Sequence, residues 1–295
     1  MEGVTTGAFL KLLTERGWVR VWWTPFLRIS EGVPRVARLK AWLAPYLSTG
    51  MPVIAQIMGV HTGRLVESAR RLRALGASAI DLNCACPSDI VVGNGAGGGR
   101  LREPEWIRET LRALRESLDC PLGVKLRSGF ASPEEFSRTL APILQEGSID
   151  FFTLHYRTVA EGYREVPGGW SRLKEARQLL PELPMIGSGD LWTVQDIRRM
   201  AEECGVDAVA PARGLLRNPR LLRDAESLLR GEEPPALTLD DRLSLLRDFR
   251  EHGTPLGFLL QMGANLLQKD SPEFRAFLQK TLADSASGRQ SEFLQ

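Results

Sequence analysis

Cysteine is scarce in this chain of 295 residues, with only Cys84, Cys86, Cys120 and Cys204. Four thiols so unevenly spaced exclude a disulfide scaffold in a chain of this size. Cys84 and Cys86 are separated by one residue where zinc sites typically use two to four, and no second pair follows, so no metal site is expected. Lysine is also rare, 6 residues against 32 arginines, and the net charge is only +2. No global basic field therefore announces a nucleic-acid partner, and any RNA contact must come from a local arginine-lined patch. No apolar run approaches the ~20 residues of a membrane span, which excludes a transmembrane reading. The opening MEGVTTGAFLKLLTERG has no basic patch, apolar stretch or small-residue cleavage site of an export signal. A cytoplasmic location is expected, with a monomer as the working state.

What remains is the balance of a globular protein, 43% hydrophobic and 25% charged. Short β-rich runs alternate with longer helical patterns, the signature of βα units on a parallel sheet. Strands are expected at 19–26, 52–59, 78–84, 122–127, 150–157, 184–189 and 207–214. Helices are expected at 5–16, 62–75, 103–118, 132–145 and 193–204, several closed by glycine or opened by proline. Seven strands are one short of a TIM (β/α)8 barrel, and the missing strand would lie upstream of the first helix. An open doubly wound sheet would carry a glycine-rich phosphate turn after its first strand, and none is there. The expected architecture is thus a TIM barrel with its first strand truncated. After about residue 218 the β signal gives way to helices at 218–230, 239–251, 255–268 and 271–284. The boundaries read as a barrel over 1–234 and a small helical domain over 235–295.

In barrels of this kind the chemistry sits at the C-terminal ends of the strands. Polar residues interrupt the apolar strands at those ends: Gln56, Asp81, Asn83, Lys125, Arg127, His155, Arg157, Ser188, Asp190 and Arg213. A lysine inside a strand needs an acceptor, supplied by a ligand or by a carboxylate such as Asp81. Gln56 reads equally as a satisfied interior amide or a ligand contact. Ser188–Gly189–Asp190 and Ala212–Arg213–Gly214 read as phosphate-holding turns or as ordinary βα turns. The segment from Asp81 to Trp106 is the densest: a strand ends in two thiols and Pro87, then enters a loop with Gly93, Gly95, Gly97, Gly98 and Gly99. Such a loop is expected to be mobile or closely approached by a ligand. Either cysteine could be a small core residue, Cys84 more readily than Cys86.

At this segment the chain resembles the tRNA-dihydrouridine synthases. The carriers are D-L-N-C-A-C-P-S followed by V-x-G-x-G-x-G-G, with M-E-G-V at 1–4, V-I-A-Q-I-M-G, G-V-K-L-R-S-G, L-H-Y-R-T with E-G-Y-R, S-G-D-L-W and A-R-G-L-L. They span about residues 1–220, and the double-cysteine form with the final Leu-Trp is most similar to the bacterial C-type subfamily. Three positions depart from the pattern: Asp89 stands where lysine is common, Pro25 where a glutamate is usual, and Arg100 where a small or apolar residue usually follows the glycines.

The resemblance implies reduction of a tRNA D-loop uridine, position 16 if C-type, to 5,6-dihydrouridine, with FMN as cofactor, NADPH as reductant and tRNA as partner. It implies Cys86 as the catalytic acid. It also implies Met1, Glu2, Gln56, Lys125, His155, Ser188, Gly189, Asp190, Ala212 and Arg213 around the flavin, and Asn83 and Arg127 on the uracil. Two other classes stay open: an FMN barrel oxidoreductase acting on a small molecule, and a non-catalytic RNA- or flavin-binding relic.

Overall fold

The apolar runs become strands, and every pairing between them is parallel. A computed structural model describes residues 5–286. Its strands are β1 (Trp22–Trp23), β2 (Leu27–Ile29), β3 (Val53–Gly59), β4 (Ala79–Cys84), β5 (Leu122–Arg127), β6 (Phe151–His155), β7 (Met185–Ser188) and β8 (Ala208–Ala210). From β3 to β8 each pairs with the next in chain order, while β1 and β2 both lie against β3. Every residue of β3 and β4 is buried, as a sheet covered on both faces requires.

Of the first expected strand, 19–26, only Trp22–Trp23 is extended in the sheet, and beyond Pro25 the chain pairs again over Leu27–Ile29, which the sequence reading did not include. Proline has no N–H to give to a ladder. Between the pairs Trp23↔Ile54 and Leu27↔Ile57, four steps on one strand oppose three on the other, so one extra residue bulges out around Pro25. The strands therefore occupy seven consecutive parallel positions with helices between them, a TIM-like α/β fold. Among the described residues the two ends of this order do not pair. Residues 1–4, where the opening strand was expected, lie outside the described residues, and with them the flavin contacts expected of Met1 and Glu2.

Helices Thr62–Ala74, Pro104–Ser117 and Val194–Cys204 match their sequence signals. The helix expected over 132–145 begins as a wide π turn, Phe136–Leu140, before Ala141–Gln145. Pro142 explains the widening, because its ring collides with the carbonyl four residues back and leaves that carbonyl without a donor. Two longer helices escaped the sequence reading, as did the short Asp89–Gly93 and Gly214–Arg217. Val36–Leu47 buries Leu39, Leu43 and Tyr46, and Ser171–Leu179 buries Leu173 and Ala176; both stripes have helical spacing that could have revealed them.

The chain forms two compact units. The first, Arg20–Leu191 with Gln195–Pro211, carries the sheet. The second is helical and contains Gly7–Glu15, Leu221–Leu229, Leu239–Glu251, Leu256–Leu266 and Pro272–Ala286. It takes in residues 5–19 and 212–234, which the sequence reading had placed with the barrel. The reason is apolar: helix Gly7–Glu15 buries Ala8, Phe9, Leu10, Leu12 and Leu13. Phe9 stacks on Phe249 at 5.8 Å and meets Phe258 edge-on at 6.2 Å. Arg16 adds an ion pair to Asp248 at 2.7 Å. No helix among the described residues is long and apolar enough to cross a membrane.

Candidate functional site

The parallel register lines the strand-end residues up on one face of the sheet. Gln56 pairs with Asp81, Asn83 with Lys125, Arg127 with His155, and His155 with Ser188. Residues directly paired in a parallel sheet point the same way, and alternate residues of one strand share a face. Seven of the sequence-expected residues thus converge: Gln56, Asn83, Lys125, Arg127, His155, Ser188 and, as a foundation, Asp81. Cys84 pairs with Leu126 and so points to the opposite face, where it is fully buried. Burial pushes its thiol far above the ordinary range, with the nearby Asp81 charge adding to the effect.

A hydrogen-bond chain crosses from β3 to β4 and reaches the cysteine loop. Gln56 Nε2 donates to Asp81 Oδ2 at 2.6 Å, and Asn83 Nδ2 donates to Gln56 Oε1 at 2.8 Å. Asn83 Oδ1 then accepts the backbone N–H groups of Ala85 at 3.0 Å and Cys86 at 3.1 Å. Gln56 is fixed from below as well, its backbone N–H donating to Thr24 Oγ1 at 2.9 Å. Asp81 is completely buried and its Oδ1 finds no partner. Burial pushes its carboxyl up to about 6, against the opposing pull of the Gln56 amide, the Lys125 charge and the Trp23 indole. The sequence reading weighed Asp81 as a carboxylate for Lys125; its charge does act on Lys125, and its hydrogen bond goes to Gln56.

The loop after β4 is built around Cys86. Cys86 is half-buried against Met58, Val91 and Ala96, and its carbonyl accepts the Gly98 N–H at 2.9 Å. A Cβ on Gly98 would lie 2.8 Å from that carbonyl and 2.7 Å from Val159. Gly97 has φ +53, and a Cβ there would stand 2.9 Å from Cys86 Cβ. Gly97, Gly98 and Gly99 are buried in a short 3-10 helix, Gly97–Arg102. These three glycines let the chain close on Cys86 itself.

Lys125 is half-buried and its ammonium has neither a hydrogen bond nor an ion pair among the described residues. Burial lowers it to about 8; Arg127 lowers it further, while the Asp81 charge and the Cys86 thiol act the other way. Arg127 is spent largely on backbone: Nε donates to Ala85 O at 2.9 Å, and Nη1 to Thr158 O and Gly162 O, both at 2.8 Å. It ties the Cys86 loop to the loop after β6, and burial lowers its guanidinium to about 10. His155 stacks on Tyr156 at 5.3 Å, and its Nδ1 accepts the Arg157 N–H at 3.2 Å, which leaves any ring proton of the neutral form on Nε2.

Past β7 the Ser188–Gly189–Asp190 turn is shaped by its neighbours. Gly189 has φ +116, and a Cβ there would be 2.6 Å from the Tyr156 ring. Asp190 has φ +49 and takes both terminal nitrogens of Arg157, at 3.0 and 2.5 Å. Tyr156 donates its hydroxyl to the same carboxylate. Arg157, noted from sequence only as a strand-end residue, is thus the clamp between the loops after β6 and β7. Ser188 Oγ donates to Ala210 O at 3.4 Å. Ala212 and Arg213 belong to the helical unit, where Arg213 lies 4.8 Å over the Trp192 ring.

A parallel α/β sheet that brings a thiol loop, an amide relay and a lysine to its strand ends has the layout of a barrel-type enzyme. A family model of dihydrouridine synthases matches residues 1–277. The chain is 32% identical over 257 residues to a tRNA-dihydrouridine(16) synthase of Aquipseudomonas alcaligenes, covering 84% of this chain and 80% of that protein. Its counterpart in Salmonella typhimurium is 34% identical over 231 residues, covering 76% and 73% respectively. Histamine dehydrogenase from Rhizobium sp. 4-9 superposes with a TM-score of 0.56 at 13% identity, over 90% of this chain and 47% of that one, a likeness of fold alone. The chain belongs to the dihydrouridine synthase family.

Proposed function

We propose that this chain reduces uridine 16 of tRNA to 5,6-dihydrouridine, with FMN as resident cofactor and NADPH as the source of electrons. The observation that carries the reading is Cys86, held by its backbone at a strand end and in electrostatic reach of Lys125 and Arg127. The flavin, when bound, supplies hydride to one carbon of the uracil 5,6 double bond. The neighbouring carbon needs a proton, and the Cys86 thiol donates it; thiols ordinarily carry their proton at neutral pH. The thiolate left behind is offset by the two cations beside it.

The residues fit such a cofactor. Lys125 offers a charge with no hydrogen-bond or ion-pair partner among the described residues, suited to the electron-rich pyrimidine edge of the ring. Gln56 and Asn83 spend their carbonyl oxygens within the relay and each keep one N–H to give, which suits ring carbonyls of flavin or uracil. His155 and the Ser188–Gly189–Asp190 turn would hold the far side of the cofactor. The second unit would meet the RNA through exposed bases such as Arg247, Arg275 and Lys280.

The test is direct. Purified protein supplied with FMN, NADPH and an unmodified tRNA transcript should add two mass units at a single D-loop uridine, read by mass spectrometry of nuclease fragments. A flavin-loaded protein that leaves every uridine unchanged would overturn the activity in favour of a small-molecule oxidoreductase.

A further inference from the structure

We propose that Asp81 is a positioning residue for Cys86, acting through Gln56 and Asn83 as a relay that fixes the polarity of both amides. The inference rests on the reading of Cys86 as proton donor. Asp81 makes no contact with the thiol; its effect travels through three hydrogen-bond steps that end on the Cys86 backbone.

The direction of the relay is set at both ends by groups that have no choice. The Asp81 carboxylate can only accept, so Gln56 must turn its NH2 toward it. The Gln56 carbonyl then faces Asn83, which must answer with its own NH2. That leaves the Asn83 carbonyl toward the N–H groups of Ala85 and Cys86, which can only donate. Rotating either amide by half a turn would set like against like at two points. A side chain at position 81 that cannot accept frees Gln56, then Asn83, and the first turn of the Cys86 loop loses its anchor.

Asp81 is also a poor choice for packing alone. It is completely buried, its Oδ1 has no partner, and burial disfavours its charge. A leucine of the same branching would bury no polar atom and carry no such desolvation cost. What a leucine cannot do is orient Gln56.

The experiment compares Asp81→Leu and Asp81→Asn in the FMN-loaded, full-length protein. Hydrogen exchange is followed at the Ala85 and Cys86 amides, and dihydrouridine formation is separated into kcat and KM for tRNA. Asp81→Leu should speed exchange at those two amides by at least ~10-fold, the worth of a lost internal hydrogen bond or more. It should lower kcat by a similar factor or more, with KM within about 3-fold. Asp81→Asn should restore both, because its carbonyl still accepts from Gln56. Wild-type exchange in Asp81→Leu, or an Asp81→Asn no better than it, overturns the relay. If Asp81→Leu does not fold, Gln56→Met cuts the same chain at its middle, and unchanged exchange at Ala85 and Cys86 in that variant overturns the relay equally. Full dihydrouridine formation by Cys86→Ala would instead remove the proton-donor reading and leave the exchange result standing.

Discussion

Replacing Lys125 by methionine should stabilise the flavin-free protein and weaken its hold on flavin, two effects of opposite sign from one substitution. The ammonium is held at about 8 chiefly by burial, against an ordinary lysine value of ~10.4. The depression corresponds to about 3 kcal/mol at full burial, and the half-buried position of Lys125 makes that a ceiling. The sign follows from proton counting. Below pH 8 both folded and unfolded chains carry the proton, and the folded state bears the whole cost. Between about 8 and 10.4 the unfolded chain binds more protons, so the cost fades as pH rises. Methionine keeps most of the volume and removes the charge. Urea unfolding of flavin-free protein should show Lys125→Met more stable than wild type at pH 7 by about 1 to 3 kcal/mol, with the gap shrinking toward pH 10. Flavin titration should show affinity reduced by about 10-fold to 150-fold, for the loss of a charge-assisted bond of ~1.5 to 3 kcal/mol. A variant less stable than wild type at pH 7, with a gap that does not move with pH, would refute the view that burial of the Lys125 charge costs the fold stability.

Two further outcomes are expected. Cys86→Ala should keep FMN and NADPH oxidation by an artificial acceptor while losing dihydrouridine formation by about 10²-fold to 10⁴-fold, whereas Cys84→Ala stays within a few-fold of wild type; an exchange of those phenotypes would reverse the assignment. Charge reversal at Arg247, Arg275 and Lys280 together should raise KM for tRNA, make KM less sensitive to added salt than in wild type and leave bound flavin unchanged, and an unaltered KM would place the RNA elsewhere. Surface reversal is a cleaner probe than truncation at residue 235, which would strip Phe249 and Phe258 from Phe9 and leave the buried face of helix Gly7–Glu15 without its cover.

Local signals were enough to place the strands and most helices. Alternating apolar runs, with glycine and proline between them, fix where a chain can extend and where it must turn, and these are properties of neighbours in sequence. The polar interruptions at Gln56, Asn83, Lys125, Arg127, His155 and Ser188 were visible for the same reason, since a hydrophilic residue in a buried strand stands out without any knowledge of its partner. The sequence also showed that Cys84 lies within the strand and Cys86 beyond it, because the strand ends before Pro87.

What the sequence could not supply was register, a relation between distant segments. The pairing of Asn83 with Lys125, and of Cys84 with Leu126, decides which thiol shares a face with the lysine. The one-residue bulge at Pro25 shows only when β1 and β2 are laid against β3. Asp190 and Arg157 are 33 residues apart and meet because β6 and β7 are neighbours. The glycines after Cys86 read as freedom, yet what matters is the space that Cys86 and Val159 leave them. The amphipathic helix Gly7–Glu15 advertised a buried face, but a face does not name the surface that will cover it, and aromatic rings some 240 residues later supplied that partner. The sequence by itself determined the elements and the kinds of side chain they carry; only the tertiary structure decided partners, because hydrogen bonds and apolar contacts depend on distances that chain order does not contain.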